Sequence, residues 1–231
     1  MRVSRVSLCS RLSAHLTHWL DSGDPLIMQK TVKLCKQHKI KVGAHPGYPD
    51  VLGFGRREIQ MDPDELTAMV RYQVGALKGF LDAEGMQLHH VKPHGKLYGV
   101  CCRDYTVARA VMSGIPTGVP VFGLAGTNME KAANDLGLPF WAEFYGDVKY
   151  SSDGMLVIDR VKKPWKVEDV RDHISMQINS QSVKATDGKV VKLPVKDYPI
   201  SVCCHSDSPG CVEIVTEVKR VVDDFNKKHG R

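Results

Sequence analysis

The sequence predicts an α/β fold in which parallel strands alternate with helices. Short apolar runs typical of buried strands lead into polar, glycine-containing loops, and amphipathic helices follow those loops. This order repeats along a chain of 231 residues, a length that suits one large domain. A β/α barrel and a doubly wound open sheet both satisfy these observations. In either fold, ligands bind at the carboxyl ends of the strands.

Local signals place the helices and strands in order. The helices predicted at residues 25–38 and 62–84 both begin with Asp-Pro, which supplies an N-cap and a proline at the first helical position. Asp187-Gly188 is a turn signal within a hairpin predicted at residues 182–193. The remaining helices are predicted at residues 104–112, 128–136, 167–178 and 212–225, and the strands at residues 40–44, 119–124, 139–144 and 200–204, with a further strand beginning at Met86.

Composition excludes several classes of protein. A hydrophobic content of 42% and a charged content of 25% are typical of soluble globular proteins. No apolar run approaches the roughly 20 residues needed to cross a bilayer. The net charge of +6 is not arranged as a basic stripe with interleaved aromatic residues, so nucleic acid is not an expected partner. We expect a soluble, cytoplasmic protein that does not associate with membranes.

The cysteines and the N-terminus bear on the compartment. Seven cysteines without a C-x-x-C motif indicate neither a disulfide framework nor a thiolate zinc site, so a reducing compartment is expected. Residues 1–20 form an atypical leader that is rich in Arg and Ser and free of acids. Such a leader is similar to an organellar transit peptide, which makes a mitochondrial location the alternative. Residues 21–231 are predicted to form a single domain.

Histidines follow the predicted strands at three places. His45 comes at the end of the first strand, His90 and His94 flank Lys92 in the next strand and loop, and His205 follows the last strand. Imidazoles at equivalent strand ends could hold a divalent metal or act as general acid and base, and their spacing does not distinguish the two. The five other histidines are expected to be structural: His15, His18, His38, His173 and His229.

Other motifs narrow the chemistry. Lys92, Arg56 and Arg57 are candidates for binding an anionic substrate, because a cationic side chain pairs well with a carboxylate. The chain contains neither G-x-x-x-x-G-K-[ST] nor G-x-S-x-G, so it is not expected to bind ATP through a P-loop or to use a serine nucleophile. Neither vicinal cysteine pair shows an activating motif, so a cysteine nucleophile is not expected either.

Several long motifs occur together in a specific order from about residue 22 onward. They are Gly23-Asp24-Pro25, the run from Val42 to Asp50, Gly53-Phe54-Gly55-Arg56-Arg57, the run from Tyr72 to Leu77, His90-Val91-Lys92-Pro93-His94-Gly95, Asp153-Gly154 and His205-Ser206-Asp207. With these motifs the chain resembles the LamB/YcsF family, whose members include one component of bacterial 5-oxoprolinase, its A chain. The resemblance implies a β/α barrel similar to those of glycoside hydrolases and polysaccharide deacetylases.

The resemblance also implies an activity. It implies an ATP-dependent hydrolysis of the lactam of 5-oxoproline to L-glutamate, carried out with partner subunits of the B and C type. ATP is expected to be bound by those partners, which agrees with the missing P-loop. Within this framework the catalytic candidates are His45, His90, His94, Asp24 and Asp207, the substrate-binding candidates are Lys92, Arg56 and His205, and the candidate metal ligands are His45, His90 and His94.

The chain departs from the family at its N-terminus. The family opens with a strand carrying D-L-N-A-D-x-G-E, which is absent here, and Asp21 stands where the family has histidine. We therefore expect a barrel that lacks its first strand and is incomplete at the N-terminus. Loss of that strand would leave backbone groups unpaired, so lower stability and little or no lactamase activity are expected.

Two alternative functions remain at this point. One is a metal-dependent hydrolase similar to carbohydrate deacetylases, which rests on the fold analogy alone. The other is an inactive scaffold or binding subunit that retains the fold without its acidic strand. A homo-oligomer is compatible with the sequence under either interpretation.

Overall fold

The computed structural model describes the backbone of residues 13–17 and, in full, residues 24–158 and 162–230. These residues fall into two compact units, with the boundary between Trp141 and Ala142. The range predicted as a single domain, residues 21–231, thus contains parts of both units. The two units are described in turn.

Parallel strands form the centre of the first unit. They are β1 (Ser13–Thr17), β2 (Lys41–His45), β3 (Leu88–Val91), β4 (Val121–Gly123) and the beginning of β5 (Phe140–Tyr145), and they lie side by side in that order. The pairs β1–β2, β2–β3 and β3–β4 are all parallel. Val121 N–H donates to the carbonyl of Pro139 at 2.8 Å, which brings the start of β5 beside β4. The parallel arrangement agrees with the predicted α/β class.

Helices connect these strands. They are α1 (Pro25–Gln37), α2 (Pro63–Ala83), α3 (Gly95–Arg103), α4 (Tyr105–Ser113) and α5 (Asn128–Asp135). The two Asp-Pro starts are confirmed: Asp24 caps α1, and Asp62 forms a capping box with Glu65 at the start of α2. Helix α3 was not predicted, because we interpreted the residues after Pro93 as a loop. Its buried positions, which include Leu97 and Cys101, do recur at helical spacing.

The second unit begins within β5. It contains β6 (Lys149–Tyr150), β7 (Leu156–Val157), α6 (Val167–Ser180), β8 (Ser182–Lys184), β9 (Val190–Lys192), β10 (Ile200–Cys203) and α7 (Cys211–Lys228). β10 pairs in parallel with β5, with Cys203 opposite Tyr145. The predicted hairpin is confirmed as the antiparallel pair of β8 and β9.

The N-terminus differs from expectation, because a first strand is present. β1 pairs in parallel with β2, from Ser13 opposite Lys41 to Thr17 opposite His45. A ladder of this kind depends on backbone N–H and C=O groups, which almost any sequence supplies. The expectation of a missing strand is therefore wrong, although the acidic residues of the family motif are still absent from the sequence.

Other expectations for the N-terminus fall on residues that the structure does not describe. The leader at residues 1–20 lies outside the described residues except for the backbone of 13–17, and Asp21 also lies outside them. None of the helices in the described ranges combines the length and apolar character needed to span a bilayer.

Candidate functional site

The chain segments that follow β2 and β3 run side by side beyond the ends of the strands. Lys92 N–H donates to the carbonyl of Ala44 at 2.9 Å, and His94 N–H donates to the carbonyl of Pro46 at 2.8 Å. The Nδ1 atom of His45 lies 2.6 Å from the carbonyl oxygen of Lys92. These bonds bring the rings of His45 and His94 to a centroid separation of 4.8 Å, edge to face.

Each of these two histidines is oriented by a carbonyl oxygen. The Nε2 atom of His94 lies 2.6 Å from the carbonyl of Phe54, just as Nδ1 of His45 faces that of Lys92. Because a carbonyl oxygen only accepts, neutral His45 carries its proton on Nδ1 and neutral His94 carries its proton on Nε2. The basic nitrogens are then Nε2 of His45 and Nδ1 of His94. Two half-buried imidazoles with defined tautomers suit proton transfer to and from a substrate.

His90 has a different environment. Its side chain is fully buried, and its ring stacks on Phe122 at a centroid distance of 3.9 Å. Gly43 on β2 leaves room for it, since a Cβ atom at that position would lie 2.2 Å from the His90 ring. Burial, followed by the positive charges of nearby groups such as Lys92, lowers the pKa of His90 well below its usual value. His90 is therefore a neutral, packed residue.

A bulge in β3 adds a histidine that the sequence did not indicate. Leu88 lies opposite Val42 and Val91 lies opposite Ala44, so β3 holds one extra residue at this point. The Nδ1 atoms of His89 and His90 lie 2.9 Å apart, a hydrogen bond in which one ring donates and the other accepts. Strand periodicity predicts opposite faces for consecutive residues, which is why His89 was missed.

The three predicted metal ligands do not form a metal site. No group of three or more His, Cys, Asp or Glu side chains is placed to hold a metal ion within the described ranges. His90 is packed between Gly43 and Phe122, whereas His45 and His94 turn toward backbone carbonyls. The expectation of a ligand set of His45, His90 and His94 is thus corrected to a pair, His45 with His94.

The predicted anion-binding residues differ in burial. Lys92 is 4% exposed, and its Nζ atom lies 5.8 Å from the centroid of the Tyr98 ring, a cation–π distance. Arg56 is exposed, with its guanidinium 5.4 Å from the centroid of the Phe54 ring. Lys92 is the better placed of the two, because a charge that is shielded from water interacts more strongly with an anion.

The loop between β2 and α2 is held by two buried polar residues that we did not predict. The Gln73 amide accepts from the N–H of Gly47 at 3.0 Å and donates to its carbonyl at 2.8 Å. The Asp50 carboxylate accepts from the backbone of Gly53 and from the side chain of Arg57, which lowers the pKa of Asp50 to about 2. Arg57 is thereby engaged within the loop. A buried glutamine in a helical apolar stripe was the signal for Gln73.

A second cluster lies in the second unit around a buried carboxylate. Asp147 has no exposed side-chain surface and lies just after β5. His205 donates to it from its backbone N–H at 3.0 Å and from Nδ1 at 2.9 Å, and the Ser208 hydroxyl also donates to it. Lys162 lies 3.9 Å from Asp147 and forms an ion pair with Asp207. Asp147 could have been found by the rule used for the histidines, since it follows a predicted strand.

This cluster shifts the pKa of two of its members. The pKa of His205 is raised to about 10, first by the negative charge of Cys203 and then by Asp147, against the effect of burial. For Asp147, burial acts to raise the pKa, but the hydrogen bonds from His205 and Ser208 outweigh it and the pKa is lowered. His205 is thus a cation at neutral pH, which agrees with its predicted role in binding an anionic substrate.

Two predicted carboxylates are occupied by local contacts. Asp24 accepts hydrogen bonds from the N–H groups of Leu26 and Ile27 at 2.9 and 3.0 Å, and it is exposed. Asp207 pairs with Lys162, and its side chain is 43% exposed. The structure therefore brings together His45, Lys92 and His94 in the first unit, and His205 with Asp147 in the second.

Known proteins share this organisation. Residues 12–229 match the LamB/YcsF family. A lactam utilization protein LamB from Emericella nidulans is 66% identical over 217 residues, which cover 94% of this chain and 86% of that protein. The A-type chain of the 5-oxoprolinase from Thermococcus onnurineus is 39% identical over 92% of this chain and 84% of its own length.

A solved structure is also similar. The crystal structure of a lactam utilization protein from Thermus thermophilus matches with a TM-score of 0.81 and 35% identity, over 93% of this chain and 86% of that chain. This match confirms the predicted fold class, an α/β fold built as a partial β/α barrel. The family match begins at residue 12, earlier than the motifs indicated, and so includes β1.

Replacing Gly43 by alanine should disturb His90. The added Cβ would lie 2.2 Å from the imidazole, which is confined on its other side by Phe122. We expect a loss of about 1–3 kcal/mol in the free energy of unfolding, measured by urea denaturation. The control is Gly79→Ala, because Gly79 lies on an exposed position of α2 with open space around it. That change should stabilise the protein by about 0.5–1 kcal/mol. Equal effects at both positions would contradict the packing described for His90.

The pKa of His205 makes stability depend on pH. Its value of about 10 lies above the ordinary value of about 6.5, so the folded state binds the proton more tightly. This contribution is fully present below pH about 6.5 and is lost as the pH rises through about 10. The free energy of unfolding should therefore fall over this range, and His205→Asn should reduce the slope. His38→Asn, at an exposed helix end, should keep it. Identical slopes for wild type and His205→Asn would refute the raised pKa.

Proposed function

We propose that this chain, which belongs to the LamB/YcsF family, is the A-type component of an ATP-dependent 5-oxoprolinase. In this role it hydrolyses the lactam of 5-oxoproline to L-glutamate together with B-type and C-type partner subunits. The names of its relatives support the proposal, since they include a lactam utilization protein and the A-type chains of 5-oxoprolinases from several organisms. A hydrolase that acts on a cyclic amide is the class of enzyme they share.

The observation that carries the proposal is the pair formed by His45 and His94. Hydrolysis of an amide requires that water be activated and that the leaving nitrogen receive a proton. Two imidazoles 4.8 Å apart, each with one nitrogen hydrogen-bonded to a carbonyl, offer one basic nitrogen each for these two tasks. We assign the general base and the general acid to this pair. The pH dependence of turnover distinguishes which histidine takes which role.

Charge supports a role for this site in binding the substrate. 5-Oxoproline carries a carboxylate beside its lactam ring, and Lys92 is a buried cation whose backbone carbonyl orients His45. We assign the carboxylate to Lys92, with Arg56 as a second cation in the neighbouring loop. His205 and Asp207 are proposed as further substrate-binding and catalytic residues on the basis of the family motif that they share. His90 is proposed to support the site through packing, and Asp24 through the helix cap that it forms.

The energy source is assigned to the partner subunits. Opening an unstrained lactam to completion requires the free energy of ATP, and the sequence has no P-loop with which to bind it. The side chains in the described ranges favour acid–base chemistry over a three-ligand metal centre. A metal-dependent deacetylase is therefore the weaker alternative.

Replacement of His94 by alanine tests the proposal in the reconstituted complex. We expect a loss of turnover of about 100- to 10,000-fold, which is the usual contribution of a general acid or base. The measurement is the formation of glutamate from 5-oxoproline in the presence of ATP and both partner subunits. The thermal midpoint and circular dichroism of the variant report whether the fold is intact.

His38→Ala is the matched control for that experiment. His38 is exposed at the end of α1 and should be replaceable without loss of turnover. Full turnover by His94→Ala would sink the acid–base assignment. A wild-type chain that binds the partner subunits without turnover would support the inactive-scaffold alternative, whereas turnover without ATP or partners would support the deacetylase-like one.

The N-terminal strand provides a separate test. β1 pairs with β2 through its backbone, but its sequence Ser-Ala-His-Leu-Thr lacks the acidic residues of the family motif. We propose that this form is less stable and much less active than one in which residues 13–20 carry the family motif D-L-N-A-D-x-G-E. The comparison measures turnover in the complex and the thermal midpoint. Equal values for both forms would overturn this part of the proposal.

A further inference from the structure

Three residues of the second unit are arranged as a nucleophile, a base and an orienting carboxylate. The Sγ atom of Cys203 lies 3.9 Å from Nε2 of His205, and Nδ1 of His205 lies 2.9 Å from Oδ1 of Asp147. Cys203 ends β10 and Asp147 follows β5, and these two strands pair in parallel. The pairing therefore brings the thiol and the carboxylate to the same end of the two strands, with the imidazole between them.

The carboxylate of this group is firmly held. It accepts hydrogen bonds from the backbone and the ring of His205 and from the hydroxyl of Ser208, and its side chain has no exposed surface. Because a carboxylate only accepts, the proton on His205 Nδ1 faces Asp147 and Nε2 faces the sulfur. This is the order of contacts by which an imidazole activates a thiol. The negative charge of Cys203 is also the first cause of the raised pKa of His205.

Other charged and titratable groups surround the three residues. Tyr145 stacks on His205 at a centroid distance of 6.1 Å, and its hydroxyl donates to the buried Glu143. Lys162 lies 3.9 Å from Asp147 and neutralises part of its charge. Tyr150 and His173 lie close enough for the charges of Cys203 and Asp147, respectively, to affect their pKa values. The surroundings thus contain both signs, and the imidazole is the charged partner that contacts the sulfur.

We propose that Cys203 is a thiolate paired with the His205 imidazolium and is the residue at which peroxides oxidise this protein. Cys203 is 6% exposed, which admits a molecule of the size of hydrogen peroxide beside His205, whose side chain is 32% exposed. A buried thiol without such a partner is inert, whereas a thiolate beside an imidazolium is a nucleophile. This modification site is independent of lactam hydrolysis.

The reaction is balanced by the groups present and one peroxide. The sulfur of Cys203 attacks one peroxide oxygen, so that an S–O bond forms and the O–O bond breaks. The second oxygen leaves with the electron pair and takes the proton of the His205 imidazolium, forming water. The sulfur is oxidised by two electrons to a sulfenic acid, the peroxide is reduced by two electrons, and His205 is left neutral.

Oxidation also alters the neighbouring cation. Removal of the charge on Cys203 removes the first cause of the raised pKa of His205, which should then fall toward its ordinary value. If His205 binds an anionic substrate as proposed above, oxidation would weaken that binding. The chemical step itself does not depend on the proposed function.

The test uses the full-length chain, hydrogen peroxide and a sulfenic-acid trap such as dimedone, with peptide mass spectrometry. We expect Cys203 to be trapped at least about tenfold faster than free N-acetylcysteine at pH about 6, where an ordinary thiol is almost entirely protonated. His205→Asn and Asp147→Asn should each lower that rate by about tenfold or more. Cys211→Ser, in a different element, should leave the rate unchanged.

A second measurement separates chemistry from folding. Circular dichroism of each variant reports its fold, and the histidine NMR spectrum of the wild-type chain reports the pKa of His205 before and after peroxide treatment. We expect that pKa to fall on oxidation in the wild type and to be unaffected by peroxide in Cys203→Ser. Trapping of Cys203 at the rate of N-acetylcysteine, or at equal rates in wild type and a folded His205→Asn variant, would overturn the proposal. Loss or absence of lactam turnover would bear only on the proposed function.

Discussion

The hydrogen bonds that continue the β2–β3 ladder beyond the strands are the interaction on which the candidate site depends. The N–H groups of Lys92 and His94 donate across to Ala44 and Pro46, and the carbonyl of Lys92 faces His45. Backbone groups of one segment thus set both the position and the tautomer of side chains on the other. Each bond contributes about 1 kcal/mol, but a broken one would leave a buried polar group unpaired at a larger cost.

Buried glutamines reinforce the strand ends in both units. Gln73 of α2 binds the N–H and C=O of Gly47 after β2, and Gln177 of α6 binds the N–H and C=O of Tyr145 at the end of β5. In both cases a helix supplies the partners that a terminating strand no longer has. This rigid support explains how irregular loops can hold His45 and Asp147 in defined orientations.

Sequence patterns were sufficient for most of the fold but only for part of the site. Asp-Pro caps, apolar periodicity and a hairpin turn predicted the elements, because these signals are local. The bulge that pairs His89 with His90 and the contact between Cys203 and His205 depend on strand pairing, which one sequence does not display. The missing first strand was wrongly expected because side-chain motifs, and not backbone pairing, were used to recognise it.

The most direct test of the central claim is histidine NMR of the isotopically labelled chain in the assembled complex, titrated with 5-oxoproline. If His45 and His94 form the acid–base pair of a lactam site, their ring resonances should shift with the saturation of binding. The resonances of His38 and His229, which lie at helix ends, should stay in place. Saturable binding of 5-oxoproline with no shift at His45 or His94 would contradict the account.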